Sequence, residues 1–98
     1  MTPCTEFAVF RVKKENIDQV IALSKRIFSE MNAGGEVITA HQVLTKTDEP
    51  EQICWHLTWI DADTAKETVE QWPTFASTKA FQALVEKDIY YGNFVEAF

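Results

Sequence analysis

Two histidines, His41 and His56, are the residues of this chain best suited to proton transfer near neutral pH. Between them residues 46–51 are polar, and Asp48, Glu49 and Pro50 mark a turn. A hairpin turning around Asp48-Glu49 sets His41 opposite His56 and Thr39 opposite Thr58, because residues that face one another across a ladder share a side. That face would carry Thr39, His41, Val43, Cys54, His56 and Thr58. A polar cluster on strands otherwise rich in Ile, Leu and Trp suits either a catalytic pocket or a hydrogen-bonded interface. In the first case His56, with His41 beside it, supplies a general base; in the second both bond to threonine and water. Two histidines without a third ligand do not make a zinc site, and no metal is expected.

Other residues could hold a substrate. Arg11, in mid-strand among apolar neighbours, could clamp a carboxylate or phenolate through two parallel hydrogen bonds, or pair with an acid at a sheet edge or across a dimer. Trp72, Phe75 and Phe81 could wall an aromatic pocket, although aromatics at helical spacing also serve as plain core. Tyr90, Tyr91 and Asn93 could offer a proton donor near the sheet. No glycine-rich phosphate loop and no Ser-His-Asp arrangement is present, which argues against nucleotide chemistry and triad hydrolysis.

The elements that must position these groups follow from periodicity. Residues 52–60 alternate strictly, with Ile53, Trp55, Leu57 and Trp59 on one side and Cys54, His56, Thr58 and Ile60 on the other. Residues 6–13 read as a first strand, with Phe7, Val9 and Arg11 on one face and Ala8, Phe10 and Val12 on the other. From Asn16 a helix is predicted, with Gln19 as capping-box partner and Ile17, Val20, Ile21, Ser24, Ile27, Phe28 and Met31 as its apolar stripe. Gly34 and Gly35 are expected to end it. Residues 37–44 form a second strand that makes a hairpin with the third. Asp61, Asp63 and Thr64 offer caps for a second helix that starts near Asp63 or Thr64, with Thr64 and Glu67 at capping-box spacing and Ala65, Val69 and Trp72 facing inward, until Pro73 interrupts it. Ser77 can recap a further helix carrying Phe81, Leu84 and Val85. Residues 89–98 close the chain as a fourth strand, with Tyr90, Phe94 and Phe98 on one face.

The order is βαββαβ, an α+β chain of the ferredoxin-like kind. Right-handed crossovers place the helices on one face of a four-stranded antiparallel sheet. Strands one, three and four carry large apolar groups at both parities, so the uncovered face calls for a partner, and a homodimer is the simplest solution.

Ninety-eight residues make one domain spanning 1–98. At 46% hydrophobic and 24% charged, the chain is that of an ordinary globular protein. A net charge of −6 argues against nucleic acid and anionic membranes, where binding rests on Lys and Arg displacing counterions. No apolar run is long enough to cross a bilayer, and residues 1–11 do not form a signal peptide. Cys4 and Cys54 lack metal or redox spacing and read as free thiols of a reducing cytoplasm.

Gly34-Gly35, the strand over 37–44, the acidic turn and the strand ending at Trp59 lead into Ile60-Asp61-Ala62-Asp63, with Ser77-Thr78-Lys79-Ala80-Phe81 further on. This pattern resembles the dimeric α+β barrel superfamily, most closely its antibiotic-biosynthesis-monooxygenase-like branch, over most of the chain. One departure is a longer stretch between Trp59 and Phe81, with Trp72-Pro73-Thr74-Phe75 as the apparent extra material beside the pocket of such proteins. The resemblance implies a homodimer with a pocket between helices and sheet in each subunit. Some members oxidise aromatic polyketides or quinols without a cofactor; others degrade haem, cyclise polyketides or isomerise lactones. Haem degraders use an Asn on the first strand and a His on the last helix. Neither is present here, which argues against that chemistry. Two readings therefore stand. One is a cofactor-independent monooxygenase-like dimer that takes an aromatic or apolar small molecule. The other is a non-catalytic ligand-binding or stress-related protein of the same fold.

Overall fold

The computed structural model describes residues 2–98 and shows one antiparallel sheet of four strands in the order β2-β3-β1-β4. The strands are β1 (Cys4–Val12), β2 (Ile38–Thr45), β3 (Gln52–Trp59) and β4 (Val85–Val95). The helices are α1 (Ile17–Met31), α2 (Ala62–Glu70) and the short α3 (Thr78–Leu84), with a 3-10 turn at Trp72–Thr74 before the last. This is the expected ferredoxin-like arrangement, its second crossover carrying a broken helix.

Period-two alternation sorts the strands onto two faces. Cys4, Phe10 and Val12 of β1 and Ile53, Trp55, Leu57 and Trp59 of β3 are buried under the helices. From α1, the residues Val20, Leu23, Ile27, Phe28 and Met31 complete that core. Of the stripe expected for α1, Val20, Ser24, Ile27, Phe28 and Met31 are buried, Ile17 and Ile21 are half-buried, and Leu23 joins the buried set. In α2 the buried residues are Ala65 and Thr68, whereas Val69 is 36% exposed.

The helix ends are set partly by expected side chains and partly by others. Asp61, one of the offered caps, accepts a hydrogen bond from the Thr64 amide at 2.7 Å, so α2 begins at Ala62, just ahead of the Asp63 or Thr64 start read from the sequence. Asn32, not the glycine pair, ends α1. Its Oδ1 accepts from the amides of Val37 and Ile38 at 3.0 and 2.9 Å, and its Nδ2 donates to the Ile38 carbonyl at 3.1 Å. Gly35, at φ +147°, supplies the backbone shape the link to β2 needs. Ser77 does not cap α3 with its side chain; its hydroxyl and amide donate to the two oxygens of Glu30 at 2.6 and 2.9 Å, bracing α3 against α1.

Two strand expectations change. The hairpin turns around Glu49, not between Asp48 and Glu49, because the Lys46 amide donates to the Gln52 carbonyl at 3.0 Å and closes a loop with an odd residue at its tip. Glu49 is held there by Arg11 and by Gln52. The pairs are therefore His41 with Leu57 and Gln42 with His56. The fourth strand begins at Val85, in register with Val12, because pairing with β1 outweighs a further helical turn. Register shifts between Val9 and Phe10 and between Arg11 and Val12 accommodate the longer strand.

Candidate functional site

A half-open cavity of about 580 Å3 lies between the helix side of β1 and β4 and the α3 segment. Its size falls within the range of small-molecule sites. Trp55, Trp72 and Phe81 form an aromatic wall, with ring centroids 5.0 Å apart for Trp55 and Phe81 and 5.9 Å for Trp72 and Phe81. Trp55 is fixed by its indole N–H, which donates to Ser24 Oγ at 2.9 Å, while the Ser24 hydroxyl donates to the Val20 carbonyl at 2.7 Å. Trp72 enters through the 3-10 turn, whereas Pro73, Thr74 and Phe75 beside it do not border the cavity.

The floor holds one carboxylate. Glu6 shares the parity of Ala8 and Phe10 on β1, is 3% exposed, and accepts a hydrogen bond from Trp59 Nε1 at 3.1 Å. Burial pushes its carboxyl up to about 7, against the opposing pull of hydrogen bonds from Trp59 and Tyr91. Tyr91, on β4 opposite Ala8, reaches the same carboxyl. Its own phenol is raised, first by burial and then by the charge of Glu6, and Asn93 Nδ2 donates to its oxygen at 3.3 Å. A carboxylate that keeps its proton to neutral pH beside a phenol can take up or release that proton as a ligand arrives.

The sequence-predicted site residues are divided by the sheet. The even hairpin register puts His41 and His56 on opposite faces, so they form no pair and neither borders the cavity. His41, on the helix side, lies 5.1 Å from the Phe28 ring. His56, on the open side, stacks on Phe7 at 4.8 Å with planes 9° apart, and its Nδ1 is 3.0 Å from Gln42 Oε1. Arg11 also faces the open side and is engaged by Glu49, with Nη2 to Oε1 at 2.5 Å, which fits the sheet-edge pairing rather than a substrate clamp. Of the aromatic candidates, Trp72 and Phe81 wall the cavity; Tyr90 borders it too, although its place opposite Val9 puts its ring on the open face beside Phe94. Phe75 packs on the core elsewhere.

Glu6 is the residue that sequence reasoning missed. Its signal was present: it continues the parity of Ala8, Phe10 and Val12, so a charge stood in the apolar row. At the start of a strand that charge passes for a solvent-facing end.

The open face carries Phe7, Val9, Leu44, Tyr90 and Phe94, with Leu44, Tyr90 and Phe94 between 43% and 49% exposed. Among the described residues no cluster of His, Cys, Asp and Glu could hold a metal, and no helix is long and apolar enough to cross a membrane. Both cysteines are free, Cys4 buried and Cys54 partly so.

The backbone is similar to several solved oxygenase-like structures. SnoaB of Streptomyces nogalater, a cofactor-independent oxygenase, superposes with a TM-score of 0.79 over 100% of this chain and 96% of its own, at 17% identity. A putative antibiotic biosynthesis monooxygenase of Bordetella bronchiseptica gives 0.79 over 100% of both chains at 12% identity. One from Chloroflexus aurantiacus gives 0.73 over 99% and 95% at 13% identity. The fold is that of the antibiotic-biosynthesis-monooxygenase-like structures. At these identities the likeness speaks for the backbone and leaves the chemistry to the side chains. No family model and no curated protein matches the sequence.

Proposed function

We propose that this protein is a homodimeric, cofactor-independent oxygenase-like enzyme that takes an aromatic small molecule between its sheet and the α3 segment. The observation that carries the reading is the cavity itself, an aromatic wall of Trp55, Trp72 and Phe81 standing over a floor with a single buried carboxylate. Flat rings stack on such a wall. The fold shared with SnoaB, itself a cofactor-independent oxygenase, supports the same chemistry. In that chemistry an electron-rich aromatic anion reacts with O2 directly. One oxygen atom enters the substrate in place of two hydrogens, and the other leaves as water.

The test is oxygen uptake with a hydroxyanthrone as probe, followed together with the absorbance of the quinone formed. Uptake well above the uncatalysed rate is expected, with Trp72→Ala lowering it by roughly tenfold through lost ring contact. Binding without faster uptake would favour the non-catalytic reading instead.

The open sheet face supports the dimer. Phe7 and Phe94 meet edge to face at 5.8 Å, and with Val9 and Leu44 they put apolar groups on a face that a second copy can cover by two-fold symmetry. Light scattering is expected to give twice the chain mass. Phe94→Glu, which places a charge in that surface, is expected to give monomer. A wild-type protein that stays monomeric at micromolar concentration would overturn the dimer.

A further inference from the structure

Glu6 is a costly residue to keep where it is. A buried carboxylate is stabilised by a cation or by several hydrogen bonds. Among the described residues the ion pairs are Arg11 with Glu49 and Lys46 with Asp48, and neither involves Glu6. Trp59 and Tyr91 engage it, and a glutamine oxygen there would accept from the same donors without a charge to desolvate. Stability alone therefore does not account for an acid at this position. Its place on the cavity floor does.

We propose that Glu6 accepts the proton of an uncharged, fused-ring hydroxyaromatic bound in the cavity, and that this hydroxyl is what the site recognises. The inference rests on the aromatic-pocket reading above and deepens it. Charge selects the ligand class. The cavity is bordered by Glu6, Glu86 and Asp88 against Lys87, in a chain of net charge −6. Arg11, which could have received an anion, is turned to the other face of the sheet and held by Glu49. A carboxylate-bearing substrate would meet repulsion there, whereas a neutral phenol meets none. The cavity, at about 580 Å3, has room for more than one ring.

In the step itself the substrate O–H bond breaks and an O–H bond forms on a Glu6 oxygen. The electron pair stays on the substrate oxygen, so charge passes from the carboxylate to the aryloxide. The groups that bear on this exchange are Cys4 and Tyr91 beside Glu6, Trp59 as donor from β3, and Glu86, Lys87 and Asp88 at the mouth. With the carboxyl titrating near neutrality, acceptance grows as pH rises through about 7.

The experiment compares 2-naphthol with 2-methoxynaphthalene, which has the same ring and no proton to give, by quenching of tryptophan fluorescence. Wild-type protein at about pH 8 is expected to prefer the naphthol by roughly tenfold or more, as for a hydrogen bond to a charged group. That preference should shrink as pH falls below about 6, where the carboxyl is protonated. Glu6→Gln should bind the ether as wild type does and lose the preference. Equal binding of the two ligands by wild type, or a preference that survives Glu6→Gln, would overturn the proposal. If neither ligand binds at all, the pocket reading fails first and this proposal falls with it.

Discussion

Glu6→Gln is expected to stabilise the protein at pH 8 by about 3 kcal/mol and to leave it nearly unchanged at about pH 4. In the folded chain the carboxyl titrates near 7, whereas its ordinary value is 4.5. Between those values the folded state holds a proton that the unfolded state has released. Stability from this group is therefore fully present below 4.5 and is lost as pH rises through about 7. Glu6 is almost completely buried, so solvent screens little of the effect. Glu49 and Asp61 run the other way. Arg11 and the Thr64 amide, respectively, hold their carboxyls below the usual range, so their contribution fades in acid and does not overlap the window of Glu6. Thermal melts of both proteins across this range provide the measurement. The curves should separate by ~10 °C or more at the alkaline end. Parallel curves would mean that Glu6 ionises freely in the folded chain.

The second large effect is expected at Trp55. It is 5% exposed and meets Phe28 at 4.9 Å, Phe81 at 5.0 Å and Phe10 at 5.8 Å, which places one ring at the junction of sheet, α1 and α3. Trp55→Ala removes all of these contacts together with the hydrogen bond to Ser24. A loss of about 3–5 kcal/mol is expected, a large share of the roughly 5–15 kcal/mol available to a domain of this size. Urea unfolding followed by circular dichroism gives the number. Trp55→Phe, which keeps the ring contacts and drops the indole N–H, should cost less than half as much. If Trp55→Ala costs under 1 kcal/mol, the aromatic wall is not the packed structure described.

Much of this arrangement could be read from residue order. The alternation of Ile53, Trp55, Leu57 and Trp59 is a local property, and their burial followed from it. The apolar stripe of α1 did likewise. The two histidines could not be placed in this way, because the face of each depends on whether the hairpin loop holds an even or an odd number of residues. That choice was made by Glu49 reaching Arg11, a partner 38 positions away. A shift of one residue in register moves every side chain of a strand to the other face, so a small error at the turn became a large one at the site. The start of β4 escaped for a similar reason. Residues Val85 to Asp88 suit a helix locally, and only the presence of β1 alongside makes them a strand.

The pairing of β1 with β4 also sets the order in which the molecule can be made. Cys4 lies against Val95, so the first strand acquires one of its two neighbours only after β4 has been made. During synthesis β1 and β3 can pair early and α1 can cover them, while the edge beside Phe10 and Glu6 stays open until the last strand arrives. Contacts of such sequence separation slow folding and lengthen the time for which an unpaired strand is exposed to other chains. The cavity floor is shared by exactly these late-meeting strands, so a nascent chain stalled before β4 would possess its core but not its pocket.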